Sequence, residues 1–191
     1  VPCVMRWPEK IKAGTILNGI GAHVDMLPTL LAAAGDPDVS KKLLTGYKVG
    51  DMTYKVHIDG VNMIPYLTGE VKESPRNNFF YISDDGDVMA VRFGDWKCHL
   101  SIQRANQMRI WSEPLVKLRV PYIFNLRRDP FERAEYNSNT WLDWTMSHAF
   151  IMYMMQDVVA EQIANFAAYP PRQKPASFNL DSVMAQLAGH K

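Results

Sequence analysis

Apolar positions change their period twice along the chain. In residues 23–35, Leu27, Leu30, Leu31 and Ala34 recur at three- and four-residue steps. Asp25 stands in an N-cap position, Pro28 falls in the first turn and Gly35 offers a left-handed stop, so the spacing predicts one short helix. A helix this apolar is expected to lie buried between layers. Ahead of it, residues 1–7 are β-branched and aromatic between Pro2 and Pro8, and apolar on both faces except at Arg6. That pattern predicts a strand inside a covered, parallel sheet. Together they read as the end of an α/β unit.

Residues 36–60 form a polar connection with a short irregular helix expected near residues 40–44. Asp59-Gly60 marks a turn, and residues 61–67 suit one or two helical turns ending near Gly69. Ser74-Pro75-Arg76 marks the next boundary. From Asn77 the texture changes to alternating or continuous strand-like runs: Phe79-Phe80-Tyr81-Ile82, residues 88–93 and residues 96–102 are joined by Asp84-Asp85-Gly86-Asp87 and Gly94-Asp95. Short strands with Asp-Gly and Gly-Asp turns predict an antiparallel meander. Residues 104–120 read as a wide loop and residues 121–126 as a fourth strand.

Trp141, Trp144, Ile151, Met155, Val158, Val159, Ile163 and Phe166 then trace one helical face, stopped by Tyr169-Pro170-Pro171. One helix across the sheet is expected. Beyond Pro171 only residues 180–187 are periodic, and this tail is expected to wrap the surface. The predicted fold is therefore an α/β remnant, strand plus buried helix, over residues 1–75, followed by an α+β domain over 76–191. That domain has a four-stranded antiparallel sheet packed on one long helix, with an extended tail.

Composition supports a packed chain, 47% hydrophobic over 191 residues. A net charge of +1 gives no electrostatic footprint for nucleic acid, and no apolar run approaches the roughly 20 residues that span a bilayer. Cys3 and Cys98 lack metal-ligand spacing; one disulfide is possible, and two buried free thiols fit better. The chain starts without Met, inside what reads as a strand, and so reads as a piece of something longer.

Chemistry is sparse. No phosphate-cradling loop, His-Glu-x-x-His or Gly-x-Ser-x-Gly is present, and the five histidines are scattered. Asp84, Asp85 and Asp87 lack the rest of a calcium loop, so a solvated turn is the better reading. Basic and aromatic residues interleave at Trp96-Lys97 and over residues 104–111, although Trp96 reads first as a strand aromatic packed under the helix.

Six segments in register carry a resemblance. They are Val1-Pro2-Cys3-Val4-Met5-Arg6-Trp7-Pro8, His23-Val24-Asp25-Met26-Leu27-Pro28-Thr29, and Asp59-Gly60 leading to Pro65-Tyr66-Leu67-Thr68-Gly69. Ser74-Pro75-Arg76, Gly94-Asp95-Trp96-Lys97 and Phe124-Asn125-Leu126-Arg127-Arg128-Asp129-Pro130-Phe131-Glu132 complete the set. Together they resemble the C-terminal portion of the formylglycine-dependent, arylsulfatase-like sulfatases of the alkaline-phosphatase-like superfamily.

The resemblance implies a sulfuric ester hydrolase whose intact form uses calcium and formylglycine, and a periplasmic or secreted location. It also implies that nucleophile and metal ligands lie upstream, because no Cys/Ser-x-Pro-x-Arg occurs here. No catalytic or metal-binding residue is carried over, no cofactor is expected in this chain, and the chain alone is expected to be inactive. Its partner would be the catalytic part of the same protein. Asp84, Asp85, His99, Arg104 and Trp111 are the candidates for the intact enzyme's substrate mouth. The competing readings are a binding module that forms homo-oligomers through an exposed apolar remnant, and a fragment of a phosphoryl-transfer relative.

Overall fold

The computed structural model describes residues 2–170 and Met184. The chain divides into two compact units, residues 1–78 and 79–191.

In the first unit, residues 2–7 form no strand, contrary to the sequence reading. A strand needs a backbone ladder on at least one edge, and among the described residues none runs beside this segment, so Val4 stands open. Cys3 is likewise exposed and free, not buried. The apolar helix does form, as a 3-10 turn His23–Asp25 leading into α1, Met26–Ala33. It is not the expected buried helix, however, since Leu27 is exposed and Leu30 is 66% exposed. The face that is buried carries Asp25, Pro28 and Thr29, because those side chains have partners in the segment around Val61.

Helix α2, Val39–Thr45, lies where the irregular helix is expected. It is followed by a two-stranded hairpin, β1 Tyr47–Val49 and β2 Met52–Tyr54, turning at Gly50-Asp51. Helix α3, Ile64–Thr68, stops at Gly69 in the left-handed region, φ 84°.

Gly60 sits against α1: a Cβ there would lie 2.1 Å from the Val24 carbonyl oxygen and 2.9 Å from Pro28 Cγ. Backbone cannot yield as a flexible side chain does, so Gly60→Ala should cost about 2–3 kcal/mol. Gly21→Ala, whose Cβ would meet only Met63 Cε at 3.6 Å, should be near neutral. Urea unfolding of both variants is the measurement, and equal midpoints would contradict the clash.

The second unit is built on the predicted antiparallel meander. Strands β3 Asn78–Ile82, β4 Val88–Phe93, β5 Trp96–Ile102 and β6 Val116–Asn125 lie in that order. β6 begins earlier than its predicted range, and its register against β5 shifts between His99 and Ser101. Within the wide loop, residues Gln107–Trp111 wind into a 3-10 helix.

The expected long helix is present as α6, Phe150–Ala168, but its predicted first turns form a separate α5, Trp141–Ser147, after a short α4, Ala134–Asn137. Local side-chain contacts gather at the break. The Ser147 hydroxyl donates to the Trp144 carbonyl at 2.8 Å, and His148 Nδ1 lies 2.8 Å from the same oxygen. The Trp144 carbonyl still accepts the His148 N–H at 3.1 Å, and the ladder changes to three-residue steps just beyond, Ala149 N–H to the Met146 carbonyl and Ile151 N–H to the His148 carbonyl. His148 also stacks on Trp144 at 4.5 Å, and Trp144 stacks on Trp96 at 6.0 Å.

Val91, Cys98 and Ile123 occupy one face of the sheet and pack with Ile151 and Met155 of α6. Burial pushes the Cys98 thiol up to about 11, so it stays a protonated, inert core group. The tail expected to wrap the surface lies outside the described residues apart from Met184.

Candidate functional site

Two clusters of charge stand out, one in each unit. In the first, Asp25 is fully buried and its carboxylate accepts four hydrogen bonds. Arg76 donates two of them, Nε to Oδ2 at 2.8 Å and Nη2 to Oδ1 at 2.6 Å. The Ala22 and Val61 backbone N–H groups donate the others, each at 2.9 Å. Arg76, its side chain 9% exposed, also donates to the Asp59 carbonyl at 2.8 Å. Burial alone would raise the Asp25 carboxyl; Arg76 and the two backbone donors overcome it and hold the group below its ordinary value. Thr29 continues the clasp by accepting the Met63 N–H at 3.0 Å. Ser74 donates to the Ile20 carbonyl at 2.6 Å, and the Tyr66 hydroxyl accepts the Gly19 N–H at 2.8 Å. Every polar group here is matched by the chain itself, so the cluster is a structural clasp.

The second cluster lies on the sheet face opposite α6. Strand alternation puts Lys97 and His99 on one side of β5 and Cys98 on the other, and register aligns them with Phe124 and Tyr122 of β6. The turn after β6 brings Glu132 to them. Asp129 builds that turn by accepting the Arg133 and Ala134 N–H groups at 3.0 and 2.8 Å, and Glu132 takes a left-handed φ of 55°. Lys97 Nζ reaches Glu132 Oε1 at 2.6 Å and His99 Nε2 lies 2.5 Å from Oε2. Lys97 also sits over the Tyr81 ring at 4.3 Å, and His99 meets Phe124 edge-on at 5.5 Å.

Burial would raise the Glu132 carboxyl, but His99 and Lys97 pull it down to about 2. Glu132 is therefore ionised across the physiological range and is no general acid. Beside the cluster opens a cavity of about 360 Å³ walled by Tyr81, Tyr122, Glu135 and Tyr136. Burial and a hydrogen bond with Glu135 raise the Tyr122 hydroxyl, against the opposing charge of Arg104.

Of the five residues singled out from sequence, His99 lies in this cavity and Arg104 is close enough to act on Tyr122. Trp111 ends the 3-10 helix and is 78% exposed. Asp84 and Asp85 sit in the β3–β4 turn, which Ser83 organises by accepting the Asp85 and Asp87 N–H groups at 3.3 and 3.0 Å. They do not line the cavity. Lys97 and Glu132 were the residues that sequence reasoning missed. The available signal was the two-residue step from Lys97 to His99, which makes them neighbours on one face.

The residues present do not fit a calcium ion. Asp25 is saturated by Arg76 and backbone donors, and Glu132 by Lys97 and His99. Among the described residues no three His, Cys, Asp or Glu side chains are grouped to hold a metal, and no helix is long and apolar enough to cross a membrane.

The second unit is thus a sheet backed by a helix, with an ion-paired Lys-His-Glu cluster on its other face. Residues 74–188 match the family described as the C-terminal region of aryl-sulfatase, and the chain belongs to that family. Over 142 residues the chain is 32% identical to arylsulfatase A of Bos taurus, covering 69% of this chain and 25% of that protein. N-acetylgalactosamine-6-sulfatase of Canis lupus familiaris is 26% identical over 162 residues, covering 74% and 27%. A solved sulfatase from Pseudoalteromonas sp. aligns over 61% of this chain and 22% of that one, at 22% identity and a TM-score of 0.45. The chain thus spans about a quarter of the length of the curated relatives it matches.

Proposed function

We propose that this chain is the C-terminal part of an exported arylsulfatase-like sulfuric ester hydrolase and performs no chemistry by itself. The match of residues 74–188 to the aryl-sulfatase C-terminal region carries the reading. The formylglycine precursor motif, Cys/Ser-x-Pro-x-Arg, is absent from the sequence, and hydrolysis of a sulfate ester in this family's manner needs that nucleophile. In the intact enzyme, calcium and formylglycine would be supplied by the upstream part.

The chain's own contribution is to support the substrate mouth. Arg104 and the exposed Trp111 can offer a cation and an aromatic face to an anionic ester. His99, tied to Glu132, stiffens the wall beside them. Asp84 and Asp85, at the tip of a hairpin turn, would act by repelling anions from that approach.

Purified chain incubated with a chromogenic aryl sulfate should release no product above buffer. Turnover that follows this chain through successive purification steps would overturn the proposal. A second reading, an association module, rests on the openness of Val4, Leu27 and Leu30 in the first unit. Those side chains equally suit coverage by the upstream part of the same protein.

A further inference from the structure

Helix α6 turns an open ridge to solvent. At the helical period, Phe150, Tyr153, Met154, Asp157 and Glu161 fall on one side, away from Ile151 and Met155, which pack on the sheet. Phe150, Tyr153 and Met154 are 56%, 70% and 51% exposed. The ridge therefore has two halves, apolar over its first turn and acidic over the next two. From Phe150 to Glu161 it runs about 17 Å at the helical rise.

Its charge is unanswered. Residues 134–168 hold Glu135, Asp143, Asp157 and Glu161 and no Lys or Arg. Asp157 and Glu161 are exposed and join none of the ion pairs among the described residues. They stand four residues apart, a like-charge spacing that works against the helix. The last turn of α6 carries no basic side chain to meet its free carbonyls.

These features select the occupant. A second copy docking through the same ridge would bring the same acids, and an anionic membrane or a nucleic acid would bring more negative charge; each is repelled. An uncharged apolar surface would cover Phe150, Tyr153 and Met154 but strip water from two unpaired carboxylates. What fits is a helix with apolar residues over one turn and Lys or Arg four residues apart beyond them, because a ridge one helix wide packs into the groove of another. Met154 suits such a contact, since a flexible thioether adapts to its partner's side chains.

We propose that the outer ridge of α6 is a docking surface for a basic amphipathic helix of a separate polypeptide. Its apolar residues would rest on Phe150, Tyr153 and Met154, and its cations on Asp157 and Glu161. The source follows from the two sides of the sheet. The cavity beside His99 lies on the face opposite α6, the side that the proposed function gives to the substrate mouth, so the ridge lies on the far side. That choice of source rests on the proposed function; the chemistry of the ridge does not.

The probe is a fluorescein-labelled helical peptide of Leu and Lys, about 18 residues long, read by anisotropy against the 191-residue chain. It should bind saturably, one per chain, and weaken as salt rises from about 0.05 to 0.5 M. Peptides with Glu in place of Lys, or with the same composition scrambled out of its helical face, should not bind. Asp157→Lys combined with Glu161→Lys, and separately Tyr153→Ser, should each weaken binding about ten-fold while β4 and β5 amides keep their exchange protection. Absence of binding to the parent chain would overturn the proposal, as would binding indifferent to both variants or equal for the scrambled peptide. The intact enzyme should bind the probe as the chain does. Loss of binding only in the intact enzyme would make the upstream part the occupant and overturn the proposal, whereas sulfate ester turnover by the chain alone would overturn the proposed function and leave the ridge standing.

Discussion

Replacing Asp25 with alanine should destabilise the first unit by about 3–5 kcal/mol, the usual cost of stranding one partner of a buried ion pair. The Arg76 guanidinium would remain, its side chain 9% exposed, facing a hole. The Val61 and Ala22 N–H groups would lose their acceptor at the same time. Asp25→Asn keeps the shape and some of the hydrogen bonds but not the charge, and should fall between. The direct readout is amide exchange at Val61 and Met63, which should accelerate together, with a matching shift in urea unfolding. A loss below about 1 kcal/mol would show that the pair does not hold the unit together.

Glu132→Gln should give the second largest effect, about 3 kcal/mol at neutral pH, from the fall of its carboxyl to about 2. The sign follows from which form the fold prefers. The folded value lies below the ordinary one, so the ionised group stabilises. That stabilisation is complete above about pH 4.5 and drains away as pH falls toward 2. The gap between parent and variant, followed by urea unfolding, should therefore be widest at pH 5–7 and close on acidification. A gap independent of pH would mean that the Lys97 and His99 contacts act through shape alone.

Much of the second unit was legible because short alternating or continuous apolar runs lie between Asp-Gly and Gly-Asp turns. The meander of β3, β4 and β5 follows from it. The break at His148 was not legible, since the apolar face runs through it unbroken and no Pro or Gly marks it. The hairpin at Gly50-Asp51 carried the same turn chemistry as the others, but its strands are three residues each and fell below the pattern's length.

Burial of α1 was misjudged for a different reason. Apolar spacing locates a helix but does not say which face is covered, and here Asp25 and Thr29 point inward while Leu30 points out. Of the candidate site, His99 could be singled out by type. Its partner Glu132 lies 33 residues away, beyond the reach of any local pattern.

The clasp around Asp25 also fixes how the first unit can vary. Arg76, Thr29 and Val61 close the neck of a loop that leaves at the end of α1 and returns at Asp59. Within that loop α2 packs back on α1, and beyond it β1 pairs with β2 and the Val56 N–H donates to the Leu43 carbonyl. The exposed β1–β2 hairpin behaves as an appendix whose length is nearly free, because doubling a closed loop costs only about 0.6 kcal/mol once its neck is held. Insertions and deletions between relatives should therefore collect at the tip between Val49 and Met52, leaving Asp25 and Arg76 in register.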